Sequence, residues 1–186
     1  MTDKRYGGSV EQLRSPERRD WLEVERVVDL SLSGVRVGTM LDVGMGSGLF
    51  GESFDRRGVA VWGIDVNPEM VAAAQRHVPR GHFQQAAAEA LPFADGAFDL
   101  VFLGLVLHEV ENPGQVLREA RRVGSGRVAV LEWPYRDEAF GPPLEHRLRG
   151  ETIEALAREA GFAATEQQPL ARLLLYLLHP APPSPR

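Results

Sequence analysis

Short apolar runs and amphipathic stretches alternate along the chain, and this alternation predicts an α/β sheet. Each apolar run has the length of a buried parallel strand and is bounded by turn residues. The predicted strands are residues 40–43, 59–64, 82–85, 98–103 and 127–132. Helical patterns between most of them favour a mainly parallel sheet that is covered on both faces.

Helices are predicted from their start signals and from apolar residues at helical spacing. Ser15 provides a hydroxyl N-cap and is followed by proline and glutamate, which is typical of a helix start. Trp21, Val24 and Val28 then lie on one face, where Trp21 is either a core residue or part of a lid over a ligand. The predicted helices begin near residues 15, 49, 68, 113 and 151.

The last two apolar runs differ from the rest because almost nothing separates them. Residues 163–168 and 172–178 are too close in sequence for a helical crossover, so they are expected to pair antiparallel. The sequence therefore predicts one domain over residues 15–179, preceded by a mobile arm at 1–14. The proline-rich residues 180–186 are expected to form a disordered tail.

Composition narrows the possible functions. The 186 residues carry a net charge of −5 and include no cysteine, which excludes disulfides, thiolate metal sites and cysteine nucleophiles. The negative charge argues against nucleic acid as a partner. No apolar run approaches the roughly 20 residues that span a bilayer, so no membrane insertion is expected. A cytoplasmic location is the resulting expectation, and the oligomeric state stays open.

A glycine-rich stretch at residues 39–51 follows the first strand and leads into a helix. Such a turn presents backbone N–H groups and the positive end of a helix dipole to a ligand. From Gly46 the letters form G-x-G-x-x-G, the fingerprint of dinucleotide-binding proteins. From Asp42 they form an acidic residue followed by glycines at 44, 46 and 48. The two frames predict different nucleotides.

Further motifs across residues 38–178 favour the second frame. They are Leu41–Gly48, Gly63–Asp65, Glu89–Asp99, Val106–Val110, Arg118–Val123 and Ala160–Phe162. Together they resemble the small class I S-adenosylmethionine (SAM) dependent methyltransferases of the ubiquinone/menaquinone-biosynthesis type, the type 11 family. The resemblance implies a three-layer Rossmann-like sandwich with seven strands in the order 3-2-1-4-5-7-6. It also implies SAM as cofactor and S-adenosylhomocysteine (SAH) as product.

The resemblance assigns most of the cofactor site to two carboxylates and the turns beside them. Asp65, at the end of the second strand, is expected to accept both ribose hydroxyls. Asp42 suits the cationic amino group of the methionine moiety and would repel a pyrophosphate. The other cofactor-binding residues implied are Gly44, Met45, Gly46, Gly48, Val66, Asn67, Met70, Ala87, Ala88, Glu89, Leu103 and Gly104.

One position departs from the family pattern. The family commonly has aspartate where this chain has Ala87, and that aspartate accepts a hydrogen bond from the adenine amino group. Alanine cannot accept it, so the bond is lost, moved to Glu89, or made by backbone or water. The backbone N–H of Ala88 remains able to serve the adenine ring.

The exit of the fourth strand indicates a small organic acceptor and no metal. It contains neither the polar-Pro-Pro-aromatic motif of amide-nitrogen methyltransferases nor the carboxylates of metal-dependent catechol enzymes. His108 is a candidate base because its pKa range suits proton transfer, and Glu132 is a second candidate. Glu109 and Arg147 are candidate substrate residues, although Arg147 also suits a surface salt bridge. Tyr6 and Trp21 are candidates to close over the cofactor.

Two other functions remain open from the sequence alone. The first is an NAD(P)-binding oxidoreductase that uses the Gly46 frame, since Asp65 would serve a dinucleotide as well. The second is a non-catalytic SAM-binding module that regulates a partner, which the missing aspartate at Ala87 favours.

Overall fold

A computed structural model describes residues 9–138 and 140–181 of the chain. Seven strands form one sheet in the order 3-2-1-4-5-7-6, which confirms the predicted architecture. The strands are β1 (Thr39–Val43), β2 (Ala60–Asp65), β3 (His82–Gln85), β4 (Phe98–Gly104), β5 (Gly124–Glu132), β6 (Phe162–Pro169) and β7 (Leu174–Pro180). Strands β1 to β5 run parallel, because helices or long loops return the chain between them.

The terminal hairpin is antiparallel, as its short connection requires. Strand β7 pairs antiparallel with both β5 and β6. Glu132 lies opposite Leu174, so the beginning of β7 stands beside the carboxyl end of β5. That edge of the sheet therefore gathers the ends of β1, β2, β4 and β5 together with the turn before β7.

Helices cover both faces, and their bounds follow the predicted signals closely. They are α1 (Val10–Leu13), α2 (Pro16–Trp21), α3 (Val24–Leu32), α4 (Leu49–Arg56), α5 (Pro68–His77), α6 (Pro113–Val123) and α7 (Gly150–Glu159). Asn67 and Asn112 cap α5 and α6 through their side chains, each with proline at the start of the helix. A short 3-10 helix, Leu144–His146, interrupts the long loop before α7.

Two features near the N-terminus were not predicted. The expected first helix is split into α2 and α3, because Glu23 adopts a left-handed conformation with φ of 49°. Within the predicted arm, residues 10–13 form α1, which is capped by Ser9. Residues 1–8, which include Tyr6, and residues 182–186 of the predicted tail lie outside the described part.

The core consists of two apolar layers, one on each face of the sheet. Alternate residues of the central strands serve each layer, so Leu41 and Val43 pack beneath α6 and α7 while Met40 packs beneath α3 and α4. The same alternation places Trp133 in the α3/α4 layer. Among the described residues, no helix combines the length and apolar character needed to cross a membrane.

Candidate active site

The turn between β1 and α4 is built on glycines in left-handed conformations. Gly44, Gly46 and Gly48 have φ values of 65°, 53° and 76°, which other residues adopt only with strain. A Cβ atom at Gly44 would lie 2.5 Å from Val106 Cγ2, so this glycine also permits close packing. Gly51, the last glycine of the dinucleotide fingerprint, lies inside α4. The working glycines are thus those of the Asp42 frame.

Asp65 joins this turn to the end of β2. Its Oδ2 accepts a hydrogen bond of 2.9 Å from the Gly46 N–H, and its Oδ1 accepts one of 2.8 Å from the Asn67 N–H. The backbone N–H of Met45 donates to the Ile64 carbonyl at 3.0 Å. Each carboxylate oxygen has a second lone pair, so the half-buried Asp65 is both fixed in place and able to accept ribose hydroxyls.

Asp42 is buried beneath the same turn with incomplete hydrogen bonding. Its Oδ2 has no partner among the described residues, and neither has the hydroxyl of Ser47 within the turn. Burial, and secondarily the nearby Asp65, raises the pKa of Asp42 to about 8, while the Gly51 N–H opposes this shift. Orphaned buried acceptors are rare and costly. A ligand with a cationic donor would satisfy this one, so these residues fit the amino group of SAM.

Several residues that are expected to contact adenine follow Asp65 in the chain. The Asn67 side chain accepts a hydrogen bond of 2.9 Å from the Glu69 N–H and caps α5, so its role is in part structural. Val66 is exposed, whereas Met70 is buried against the core. The Ala86 N–H donates to the Asp65 carbonyl at 3.1 Å, which brings the segment after β3 next to Asp65.

The segment after β3 contains the three predicted adenine contacts. Ala87 is exposed and Ala88 is buried. The backbone carbonyl of Glu89 accepts a hydrogen bond of 3.3 Å from Gln115 Nε2. The side-chain carboxylate of Glu89 takes no part in this contact. The loop that follows is tied to α6, where Arg122 donates to the Leu91 carbonyl at 2.9 Å.

Strand β4 brings its end next to the glycine turn. Leu103 pairs with Val43 of β1, and its side chain is fully buried, so only its backbone can face a ligand. Gly104 follows, and a Cβ atom there would lie 2.8 Å from Phe102 Cε1. Leu105 then has φ of 62°, a strained value for a residue with a side chain. This sharp turn directs the next residues over the sheet edge.

His108 and Glu132 form a buried pair at that edge. The distance from His108 Nδ1 to Glu132 Oε2 is 2.8 Å. A carboxylate can only accept, so Nδ1 carries the proton and Nε2 is the free nitrogen of the neutral ring. Glu132 also accepts from the backbone N–H groups of His108 at 3.3 Å and Trp133 at 3.2 Å. The two candidate bases are therefore one unit.

The charges around His108 favour its protonated form. Burial alone would lower the pKa of His108, but the hydrogen bond to Glu132 and the charges of Glu132 and Glu109 raise it above the ordinary value. The positive charge of Arg147 acts in the opposite direction. Glu109 Oε1 lies 3.8 Å from His108 Nε2, which places this predicted substrate residue beside the free nitrogen.

Arg147 does not have the environment expected of a substrate anchor or of a surface salt bridge. Its side chain is 1% exposed. It donates to the carbonyls of Pro134, Arg136, Phe140 and Pro142 at 2.8–3.3 Å, and to Glu138 Oε2 at 3.2 Å. Its donors thus organise the loop after β5.

An aromatic cluster that the sequence did not indicate stands beside the pair. The rings of Trp21 and Trp133 lie 5.0 Å apart, and the Arg147 guanidinium stacks on Trp133 at 5.0 Å. Arg172 lies over both Trp21 and Phe140. An aromatic residue directly after a strand-end acid is the signal that could have identified Trp133.

Known proteins are similar to this chain in sequence. The family model described as "Methyltransferase domain" (Methyltransf_11) matches residues 41–129. A protein of Mycolicibacterium gilvum named "uncharacterized methyltransferase" is 38% identical over 120 residues, covering 60% of this chain and 46% of the relative. The demethylmenaquinone methyltransferase of Renibacterium salmoninarum is 31% identical over 140 residues, covering 74% and 57%. The chain spans about half the length of the curated relatives it matches.

Solved structures share the fold. The crystal structure of a SAM-dependent methyltransferase from Aquifex aeolicus superposes with a TM-score of 0.79 at 23% identity, covering 91% of this chain and 95% of that one. The sheet order, the acidic glycine turn and the family match agree with one another. Residues 41–129 are thus a methyltransferase domain of the type 11 family, on the fold of the class I SAM-dependent methyltransferases.

Proposed function

We propose that this protein transfers a methyl group from SAM to a small organic acceptor. The observation that carries the proposal is the pair of carboxylates beneath and beside the glycine turn, Asp42 with an orphaned oxygen and Asp65 fixed by two backbone N–H groups. Asp65 would bind the ribose hydroxyls and Asp42 the amino group. The Gly44, Gly46 and Gly48 backbone would border the methionine moiety.

The adenine ring would lie between Val66 and the segment from Ala87 to Glu89. Because the side chain of Ala87 has no acceptor, we assign the adenine amino group to Glu89 and the ring nitrogen to the Ala88 N–H. Met70 would contribute an apolar contact from α5. The ends of β1 and β4 would then face the sulfonium, with Leu103 and Gly104 contributing backbone.

Methyl transfer from SAM requires little chemical assistance from the protein. Bound SAM supplies an activated methyl group, so the chain mainly aligns the acceptor for an in-line displacement. His108 Nε2 would take the proton that an acceptor hydroxyl or amine must lose, while Glu132 holds Nδ1–H and stabilises the charged ring. Because the pKa of His108 is raised, this base becomes more available as the pH rises.

The acceptor side supports a small molecule with apolar surface. Trp133, whose backbone N–H donates to Glu132, forms a tilted aromatic pair with Trp21, and the ring of Phe140 is exposed. One relative is named demethylmenaquinone methyltransferase, and we extend to this chain only the general class of a small organic acceptor. A cytoplasmic location also stays a prediction.

Titration calorimetry on the whole chain tests the cofactor assignment. SAM and SAH should bind, and NAD(H) should not, because the unpaired Asp42 carboxyl group suits the cationic amino group of SAM and offers a pyrophosphate no positive charge. An Asp65→Ala variant serves as the site control. Tight NAD(H) binding without a response to SAM or SAH would refute the proposal.

A second experiment tests the transfer itself. SAH release is measured with a panel of phenols, amines and quinols, and with the His108→Gln variant as control. Binding of SAM without turnover on any acceptor, together with an unchanged affinity for SAM in the His108 variant, would favour a non-catalytic SAM-binding module. Turnover that depends on His108 would support the enzyme.

A further inference from the structure

The loop that follows β5 is held against the active-site edge by one buried side chain. We define the strap as residues 134–138 and 140–147. Arg147, at its end, donates to backbone carbonyls of four strap residues and to Glu138. A guanidinium has five N–H donors, and among the described residues every hydrogen bond of Arg147 goes to the strap. These contacts of Arg147 fix the shape of the loop.

The strap is packed on Trp133. The Arg147 guanidinium lies 5.0 Å from the Trp133 ring centroid. On the same ring, Gly141 approaches so closely that a Cβ atom there would lie 2.5 Å from Cζ3, and its φ of 89° is a glycine conformation. The ring is thus covered by the Arg147 guanidinium and by the strap backbone at Gly141.

Trp133 continues directly into the proposed base pair. Its backbone N–H donates to Glu132 Oε2, the same oxygen that holds His108 Nδ1. A continuous set of contacts therefore runs from Arg147 through Trp133 and Glu132 to His108. The charged groups acting on His108 are Glu132 from β5, Glu109 from the turn after β4, and Arg147 from the strap.

We propose that Arg147 is a positioning residue for the acceptor site, which clamps the strap on Trp133 and places a positive charge opposite the carboxylates that face His108. The inference rests on the proposed role of His108 as the base. A side chain that bound the acceptor directly would need free donors and an exposed guanidinium. Strap acceptors take the Nε–H, both Nη1–H groups and one Nη2–H of Arg147, which leaves a single Nη2–H on a side chain that is 1% exposed.

The test compares three variants with the wild-type chain. Arg147→Gln removes the charge and the clamp, Arg147→Lys keeps the charge but cannot reach four carbonyls at once, and Arg149→Gln removes an equal charge from an exposed arginine that stacks on Tyr135. Two readouts need no acceptor. They are hydrogen exchange of the strap amides and the titration of the His108 ring by NMR.

In Arg147→Gln the strap amides should exchange at least about tenfold faster, and His108 should titrate at higher pH than in the wild type. In Arg147→Lys exchange should also rise while the His108 titration stays near that of the wild type. Arg149→Gln should leave the His108 titration unchanged, because the groups that act on His108 include Arg147 and not Arg149. Wild-type exchange and an unchanged His108 titration in Arg147→Gln would overturn the inference.

Two further measurements keep the result interpretable. If Arg147→Gln does not fold, Gly141→Ala tests the same clamp by displacing the strap from Trp133 with Arg147 intact, and it should give the same rise in exchange; no rise would overturn the inference. SAH affinity is measured for every variant and should stay within about threefold, a change of under about 1 kcal/mol. If the wild-type chain did not bind SAH, this would instead refute the proposed function, regardless of the exchange rates of the strap amides.

Discussion

The buried carboxyl group of Asp42 should make the protein lose stability as the pH rises. Its pKa is raised from 3.8 to about 8 in the folded chain. Between these two values the folded state holds a proton that the unfolded state has released, so the free energy of unfolding falls with increasing pH. The slope for one such group is about 1.4 kcal/mol per pH unit.

The perturbation is Asp42→Asn, which keeps the shape but cannot ionise. Between pH 5 and pH 7 the wild type should lose about 2.7 kcal/mol through this group, or about 2 kcal/mol once water penetration is allowed for. The variant does not lose this free energy of unfolding, because asparagine does not ionise. Its Tm should therefore rise relative to that of the wild type by about 4–8 °C over this pH interval. Thermal unfolding followed by circular dichroism measures the difference.

The same variant should bind SAH more weakly although it is more stable at neutral pH. Loss of a charge-assisted hydrogen bond to the cofactor amino group is worth about 1.5–3 kcal/mol, or about 10- to 100-fold in Kd. Calorimetry in buffers of different ionisation enthalpy should also show that the wild type releases more protons on binding at pH 7 than the variant does.

Asp99→Asn is the matched control. The backbone N–H groups of Gly38 and Thr39 lower the pKa of Asp99, so its stabilising contribution is present at neutral pH and is lost on acidification. Asp99→Asn should consequently destabilise the protein at pH 7, the opposite sign to Asp42→Asn. Parallel stability–pH curves for the wild type and Asp42→Asn would refute the reasoning about Asp42.

Four further substitutions test the remaining parts of the site. Asp65→Ala should weaken SAH binding about 10- to 100-fold by removing two ribose hydrogen bonds; an unchanged Kd in calorimetry would remove Asp65 from the site. His108→Gln and Glu132→Gln should each lower kcat about 10²- to 10⁴-fold with cofactor affinity retained, and undiminished turnover would exclude a base at this position. Gly44→Ala should cost about 1–3 kcal/mol of stability, measured by urea unfolding, because alanine is strained at that φ and its Cβ would meet Val106; wild-type stability would contradict this packing.

Local spacing was sufficient for much of the fold. The apolar runs defined every strand to within three residues at either end, and the short connection between the last two determined that they are antiparallel. Asp65 could be assigned because a strand-end carboxylate one strand away from a glycine turn must lie beside that turn in a parallel sheet. These features depend on contacts between neighbouring segments.

Local signals misrepresented one region, where contacts between distant residues accompany the conformation. The helical pattern from Ser15 to Val28 continues across Glu23, yet the chain breaks there and turns in a left-handed conformation. Glu23 Oε2 accepts from the Ala171 N–H at 3.2 Å, and Arg26 donates to the Pro169 carbonyl at 3.4 Å, so contacts with the β6–β7 turn accompany the break. Helical spacing contains no information about that turn.

The sequence by itself indicated the strands, the family resemblance and the acidic glycine turn, because each strand and each motif consists of residues close together in the chain. Tertiary structure alone decided the acceptor side. His108 and Glu132 become a pair because β4 and β5 are parallel neighbours whose ends meet at one edge. Arg147 becomes a clamp because the loop after β5 folds back over its guanidinium. A side chain's type limits what it can bind, but only the folded chain decides which of its donors are already used.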